Sequence, residues 1–432
     1  MNKHHEPTGP SAAQEQITLR GPAELADALP YLLGFHPTDS VVMVALQGRR
    51  GRFGGRLRLG IPHAPQEWQP VAEQLADGLV TGSEQRGPRP EGIIVFLCQD
   101  PEPGETPADV MERLRPFAQH LRTACGSRDV PVPEALCISG GRFFSYCCPD
   151  ARCCPPDGTP LVLPGTSVMA AAAAYAGIQV RGSLREMEAR LSPWQPPRTG
   201  AQEKALDEAA GALVPRILAG ADREQVGDET LDAARRLVRR IEQTPQAPDW
   251  PQADAADDAL ITDEEAAVIL LGLQDRTTRD RAAEWMEGPA AGSVLRLWRA
   301  LSRRCVGPYA EYGAAPLTLA GWVAWSTGDE PGARVALGHA LRLDPDYTFA
   351  RLLHQACNEG LDPEALRHCL RQERSSRVAP RKPSAAGSRR KPPKPPGSRQ
   401  DTPCGTDRPG AAVARTDARR RSGQRGGTRN RQ

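Results

Sequence analysis

The feature that most constrains this chain is a change of hydrophobic period near residue 165. Before it, short β-prone runs alternate with stretches of helical period; after it, apolar residues recur at helical spacing only. Pro22 opens a helix through Leu25, Ala26, Leu29 and Leu32 that should end near Gly34. Residues 40–46 (SVVMVAL) form a continuous β-prone run, and residues 56–61 alternate apolar with polar, as in a strand with one solvated face. These two should pair as a hairpin, with Gly48, Gly51, Gly54 and Gly55 supplying the turn. Further strands are expected at 17–20, 93–97, 132–139 and 142–147, and helices at 68–79 and 108–123. Strands alternating with helices predict an α/β or α+β domain over residues 17–165.

From Thr166 onward helical periodicity recurs at 168–176, 184–191, 201–218, 230–242, 263–273, 279–287 and 293–305. An all-α domain is therefore predicted over 166–370, divided by a Pro- and Asp-rich loop at 243–258. Residues 314–347 fit one tetratricopeptide-like helical pair, with Gly321, Ala333 and Ala340 as small packing positions and Pro345 as terminator. One unit builds no solenoid, so the pair reads either as an ordinary helical hairpin or as a partner-binding groove.

Charge is divided unevenly. The formal net charge is +2, yet residues 371–432 hold 18 Lys and Arg against 4 Asp and Glu, leaving 37 against 49 in the rest. An acidic body therefore carries a basic tail of net charge +14. That tail is Arg, Pro, Gly and Ser with almost no large apolar residue, so it cannot offset its ordering entropy and is expected to be disordered. Any polyanion it attracts should be held weakly and without sequence preference, since it has no aromatic residue for base stacking. Residues 1–16 read as a disordered polar leader. No apolar run approaches the roughly 18 residues of a membrane span, and the polar opening lacks the apolar core of a secretory signal. The expectation is no membrane partner and a cytoplasmic location, where most of the eleven cysteines would be free thiols.

The densest chemistry is residues 146–158, YCCPDARCCPPDG, where Cys147, Cys148, Cys153 and Cys154 lie within eight positions. Thiolates at this spacing suit Zn²⁺, because four intervening residues let two sulfurs reach one tetrahedral centre. Adjacent cysteines of an extended segment point in opposite directions, so four sulfurs cannot face one ion without a sharp bend. Zinc, a disulfide such as Cys148 with Cys153, and plain thiols all remain open. Position between the last strand and the first helix of the second half, with no histidine nearby, argues for a structural rather than a catalytic role. Asp39 and Ser40 lie where a helix end and a Pro turn lead into a buried strand. They are candidates to point into a ligand cleft, or else to hydrogen-bond the turn. The glycine-rich run 48–55 lacks the Gly-Lys-Ser/Thr ending of a phosphate loop, and there is no Gly-x-Ser-x-Gly elbow, zinc-protease helix or EF-hand loop.

Three stretches together, PYLLGFHPTDSVVMVAL at 30–46, SYCCPDARCCPPDG at 145–158 and RGSLREMEARLSP at 181–193, resemble an actinobacterial family of unknown function. The likeness extends over residues 17–370. The family pattern maps onto Tyr146, Cys148, Cys153, Cys154 and Pro155, which makes Cys147 an extra cysteine here. The resemblance implies no activity, ligand or catalytic residue. Two functions are compatible with the residues: a noncatalytic interaction or scaffold protein that meets a protein partner through its helical half, or an enzyme with a small-molecule cleft on the α/β half.

Overall fold

The structure, a computed structural model, describes residues 19, 21–48, 51–162, 165–218, 223–245, 247 and 249–378. The expected leader, the strand at 17–20 apart from Leu19, and the tail beyond residue 378 lie outside these residues.

The first half is a mixed sheet with helices. Helix α1 (Pro22–Leu33) ends at Gly34, whose φ of 83° supplies the left-handed cap. Strands β1 (Ser40–Gln47) and β2 (Arg52–Gly60) form the expected antiparallel hairpin, but β2 begins at Arg52 and not at residue 56, so Gly54 and Gly55 lie within the strand rather than in the turn. Helix α2 (Trp68–Arg86), β3 (Gly92–Cys98), α3 (Pro107–Gly126), β4 (Glu134–Ser139) and β5 (Arg142–Ser145) follow. A two-residue strand, β6 (Thr159–Pro160), has no signal in the sequence; it returns to pair with β5 after the cysteine segment. The sheet order is β2-β1-β3-β4-β5-β6, and only β3 and β4 run parallel, joined by α3 as the crossover. Every residue of β3 is buried, as a strand covered on both faces requires. One face, through Val41, Met43, Val95 and Leu97, packs on α2 and α3, where Trp68 stacks on Phe117 at 5.5 Å. The other face, through Val42, Val44, Ile94 and Phe96, belongs to the same apolar cluster as the helices of the second half.

That half comprises α4 (Val168–Tyr175), α5 (Leu184–Ala189), α6 (Thr199–Leu218), α7 (Arg223–Glu242), α8 (Trp250–Ala259), α9 (Asp263–Gly272), α10 (Arg276–Ala282), α11 (Ala291–Arg303), α12 (Ala314–Ser326), α13 (Glu330–Leu343), α14 (Thr348–Asn358) and α15 (Glu364–Val378). Two expectations are corrected. The Pro- and Asp-rich loop contains α8: Asp254, Asp257 and Asp258, spaced to share one helical face, are buried against arginines rather than exposed. The apolar pattern could not announce this helix, because its buried face is acidic. The helical fold also continues past Leu370 to Val378, with Arg371 paired to Glu287 at 2.9 Å. The expected hairpin at 314–347 is α12 and α13. A Cβ on Gly321 would lie 2.6 Å from Leu337, so glycine is what lets these helices approach.

Among the described residues no helix is long and apolar enough to cross a membrane.

Candidate functional site

Asp39 sits at the start of β1, beside the C-terminal ends of the parallel strands β3 and β4, the place where open α/β sheets commonly bind ligands. Its φ of 45° is left-handed, a conformation that Asp tolerates better than most residues. Its carboxylate accepts from Gln99 Nε2 at 3.3 Å and pairs with Arg185 at 2.9 Å. Gln99 in turn accepts from Arg113 at 2.8 Å, and Arg113 pairs with Glu105 at 2.9 Å. That pairing holds the Glu105 carboxyl below its ordinary range. A cleft of about 610 Å³ borders this chain, with His63, Trp68, Glu102, Glu105 and Arg113 among its walls. Asp39 is not among the residues lining it. Ser40 is fully buried; its hydroxyl donates to Thr38 O at 2.7 Å and accepts from Arg58 Nη1 at 3.0 Å. The sequence marked Asp39 and Ser40 but not Gln99, Arg113 or Arg185, which come from the loop after β3, from α3 and from α5 and carry no local motif.

The cysteine segment is an excursion between β5 and β6. Ser145 Oγ accepts from the backbone N–H groups of Cys147 and Cys148, turning the chain as β5 ends. The N–H groups of Cys153 and Cys154 both donate to Asp150 O, which folds the segment back on itself. The consequence is that the sulfurs of Cys148, Cys153 and Cys154 all lie within 4.8 Å of one another. Cys147 is outside this set and packs toward the core between the sheet and α3. The bend that adjacent cysteines require therefore exists, but it gathers three sulfurs and not four. Burial and the two neighbouring thiols push the Cys154 thiol up to about 12. Sulfurs about 3.8 Å apart would surround a tetrahedral Zn²⁺ with bonds of about 2.3 Å, so small movements make a three-thiolate seat with one open position. A disulfide from Cys148 to either partner would instead leave one thiol over. The segment is anchored to α3, since Tyr146 donates to Met111 O at 2.9 Å and Arg115 lies over its ring at 5.6 Å.

The helical half presents a groove of about 470 Å³ between α10, α14 and α15. Its floor is apolar, from Phe349, Leu352, Leu366 and Leu370, and Leu352 is 61% exposed. Arg279 stacks over Tyr347 and Phe349 at 5.4 and 5.2 Å and also binds Asp280. Sequence reading marked the helical pair nearby but not this groove, whose apolar residues come from the two helices after it.

The fold and these sites define a mixed α/β sheet continued by a long run of helices. Over residues 22–364 the sequence matches the family described as "Domain of unknown function (DUF4192)", and the chain belongs to that family. The match spans both the sheet and the helices. No curated protein and no solved structure matches the chain.

Proposed function

We propose that this chain is a noncatalytic interaction protein that holds a segment of a partner protein in the groove between α10, α14 and α15. The observation that carries this is the exposure of Leu352 on an apolar floor next to two aromatic rings, where burial by a partner would be favourable. Around the floor stand four carboxylates, Asp280, Asp344, Asp346 and Glu373, against Arg276 and Arg279, which both turn to Asp280, and Arg351, which pairs with Asp346 at 3.8 Å, leaving Asp344 and Glu373 in excess. The rim is thus acidic, and the fitting partner segment is apolar with Lys or Arg at its flanks. The tetratricopeptide-like spacing of the preceding hairpin agrees with a helical docking module.

The alternative, an enzyme with a small-molecule cleft on the α/β half, is favoured by the left-handed backbone of Asp39 at the sheet end. Against it, Asp39 is already paired with Arg185, and Arg113 with Glu105. The basic segment 371–432 is proposed to add weak polyanion attraction, which deleting residues 379–432 should abolish in a salt-dependent retention assay.

The test is site-specific photo-crosslinking from position 352 in the native host, with position 59 as an exposed control on the sheet. One defined protein crosslinked from 352 only, with affinity falling about 10- to 100-fold in Leu352→Asp, is the expected result. Identical crosslinking from both positions, or binding unaffected by Leu352→Asp, overturns the reading.

A further inference from the structure

Helix α11 carries Arg296, Arg299 and Arg303 at the three- and four-residue spacings that align side chains on one face. Opposite them, α8 carries Asp254, Asp257 and Asp258. Arg296 pairs with Asp257 at 2.5 Å, and Arg303 pairs with Asp258 at 2.7 Å. Arg190, at the C-terminal cap of α5, takes Asp254 through two bonds of 2.9 Å. The middle arginine is left over. Among the described residues no carboxylate, carbonyl or hydroxyl reaches the Arg299 guanidinium within bonding distance.

Arg299 lines a cavity of about 350 Å³ enclosed by α5, α8, α11, α12 and α13. Its dense surroundings and the nearby Arg190 lower its pKa to about 10, against the opposing pull of Asp329 and Asp254, so it remains charged at neutral pH. The other arginines on the cavity wall are already paired, Arg190 with Asp254, while the Glu186 carboxylate is held by a backbone N–H. Arg181 pairs with Asp329 at 3.5 Å, Asp329 also accepts from Gly332 N–H at 3.1 Å, and Glu186 accepts from Ser183 N–H at 2.7 Å. The rest of the wall is apolar, with Met187, Trp250, Leu295 and Val335, and it is kept wide by small residues on α12 and α13.

Arg299 is half-buried, and a guanidinium whose donors meet no acceptor loses the hydrogen bonds that water would give it, so in a cavity those donors are open to an oxyanion. We propose that this cavity binds a small organic anion, its oxyanion held by Arg299 and its apolar body against Met187, Trp250 and Val335. A carboxylate and a phosphate monoester share the geometry that a planar guanidinium fork recognises. The volume lies near the lower end for small-molecule sites, which limits the ligand to roughly the size of a substituted ring. This site is separate from the α14 groove and does not depend on the interaction reading.

The experiment is thermal unfolding of the full chain with millimolar benzoate, phenyl phosphate, inorganic phosphate or phenol, on wild type, Arg299→Met and Arg299→Lys. Benzoate or phenyl phosphate is expected to raise the wild-type Tm by about 2 °C or more, while phenol and inorganic phosphate, each lacking one half of the recognition, do less. Which aromatic anion shifts it further separates the carboxylate from the phosphate source. Arg299→Met should lose the shift, and Arg299→Lys should keep a reduced one. Because the free guanidinium is costly, Arg299→Met without ligand should melt at the same temperature as wild type or higher. The inference fails if neither anion shifts wild type, if the shift survives in Arg299→Met, or if Arg299→Met alone melts well below wild type.

Discussion

The most demanding residues in the molecule are the buried ionic ones. Arg303 and Asp258 are 5% and 4% exposed, and Asp258 also accepts from Trp194 Nε1 at 3.1 Å. Removing one partner leaves the other charged and buried, so Asp258→Ala should cost about 3–5 kcal/mol in denaturant titration, far more than an exposed pair such as Arg235–Asp232. His339 on α13 makes a different demand. Its Nδ1 is buried without a partner, and burial, with Arg342 close by, lowers its pKa to about 4. The unfolded chain therefore binds a proton that the folded chain refuses. The stabilisation from neutral His339 is complete above about pH 6.5 and is lost as pH falls toward 4, on the order of 1–2 kcal/mol for this partly exposed group. His339→Leu should flatten that part of the stability profile; an unchanged slope between pH 6.5 and 4 would show that His339 does not set it. At the cysteines, Cys148→Ser and Cys153→Ser should each weaken zinc retention by the reduced protein, whereas Cys147→Ser should not, measured by competition with a chromogenic chelator. The sequence pointed to this loop, and the family pattern set Cys147 apart, but only the two N–H bonds to Asp150 determine which sulfurs meet.

Elements with an apolar face were legible and those without one were not. Helix α9 begins at Thr262, whose hydroxyl and Glu265 carboxylate form a capping box, and its apolar run marks it plainly. β3 is equally plain, as seven residues that are apolar or small. By contrast α8 hides its buried face in aspartates, and β6 is two residues that owe their conformation to β5. The signal that would have exposed α8 was the three- and four-residue spacing of Asp254, Asp257 and Asp258, a helical period of charge and not of hydrophobicity. The α12–α13 contact was legible because small residues at fixed spacing have one packing explanation. There Gly321→Ala gains helix propensity of about 1 kcal/mol but places a methyl 2.6 Å from Leu337. Overpacking costs about 1–3 kcal/mol, so the expected outcome is a net loss of stability by urea titration. A gain would mean that Leu337 can move aside.

At the scale of the molecule, the two family-like stretches at 30–46 and 181–193 meet. His36 N–H donates to Gly182 O at 2.8 Å, Arg181 N–H to Gly34 O at 2.8 Å and Leu184 N–H to His36 O at 2.9 Å, a short ladder that ties the entry to the sheet to the entry to α5. Neither stretch announces this, because a pairing across some 150 residues leaves no local trace in either. Gly34 is its tightest point: φ is 83°, and a Cβ there would fall 2.3 Å from Pro331 of α13. The sheet face bearing Val42 and Phe96 and the helices bearing Leu237 and Trp298 form one continuous apolar cluster around this junction. Two halves that share a core should unfold together, so far-UV circular dichroism and tryptophan fluorescence are expected to report one coincident urea transition. Gly34→Ala combines left-handed strain with a clash against the Pro331 ring, and should lower that midpoint equally in both probes by an amount equivalent to about 1–3 kcal/mol. If Gly34→Ala instead splits the transition, with fluorescence from the six tryptophans after Trp68 unchanged, the helices would be a unit that folds without the sheet.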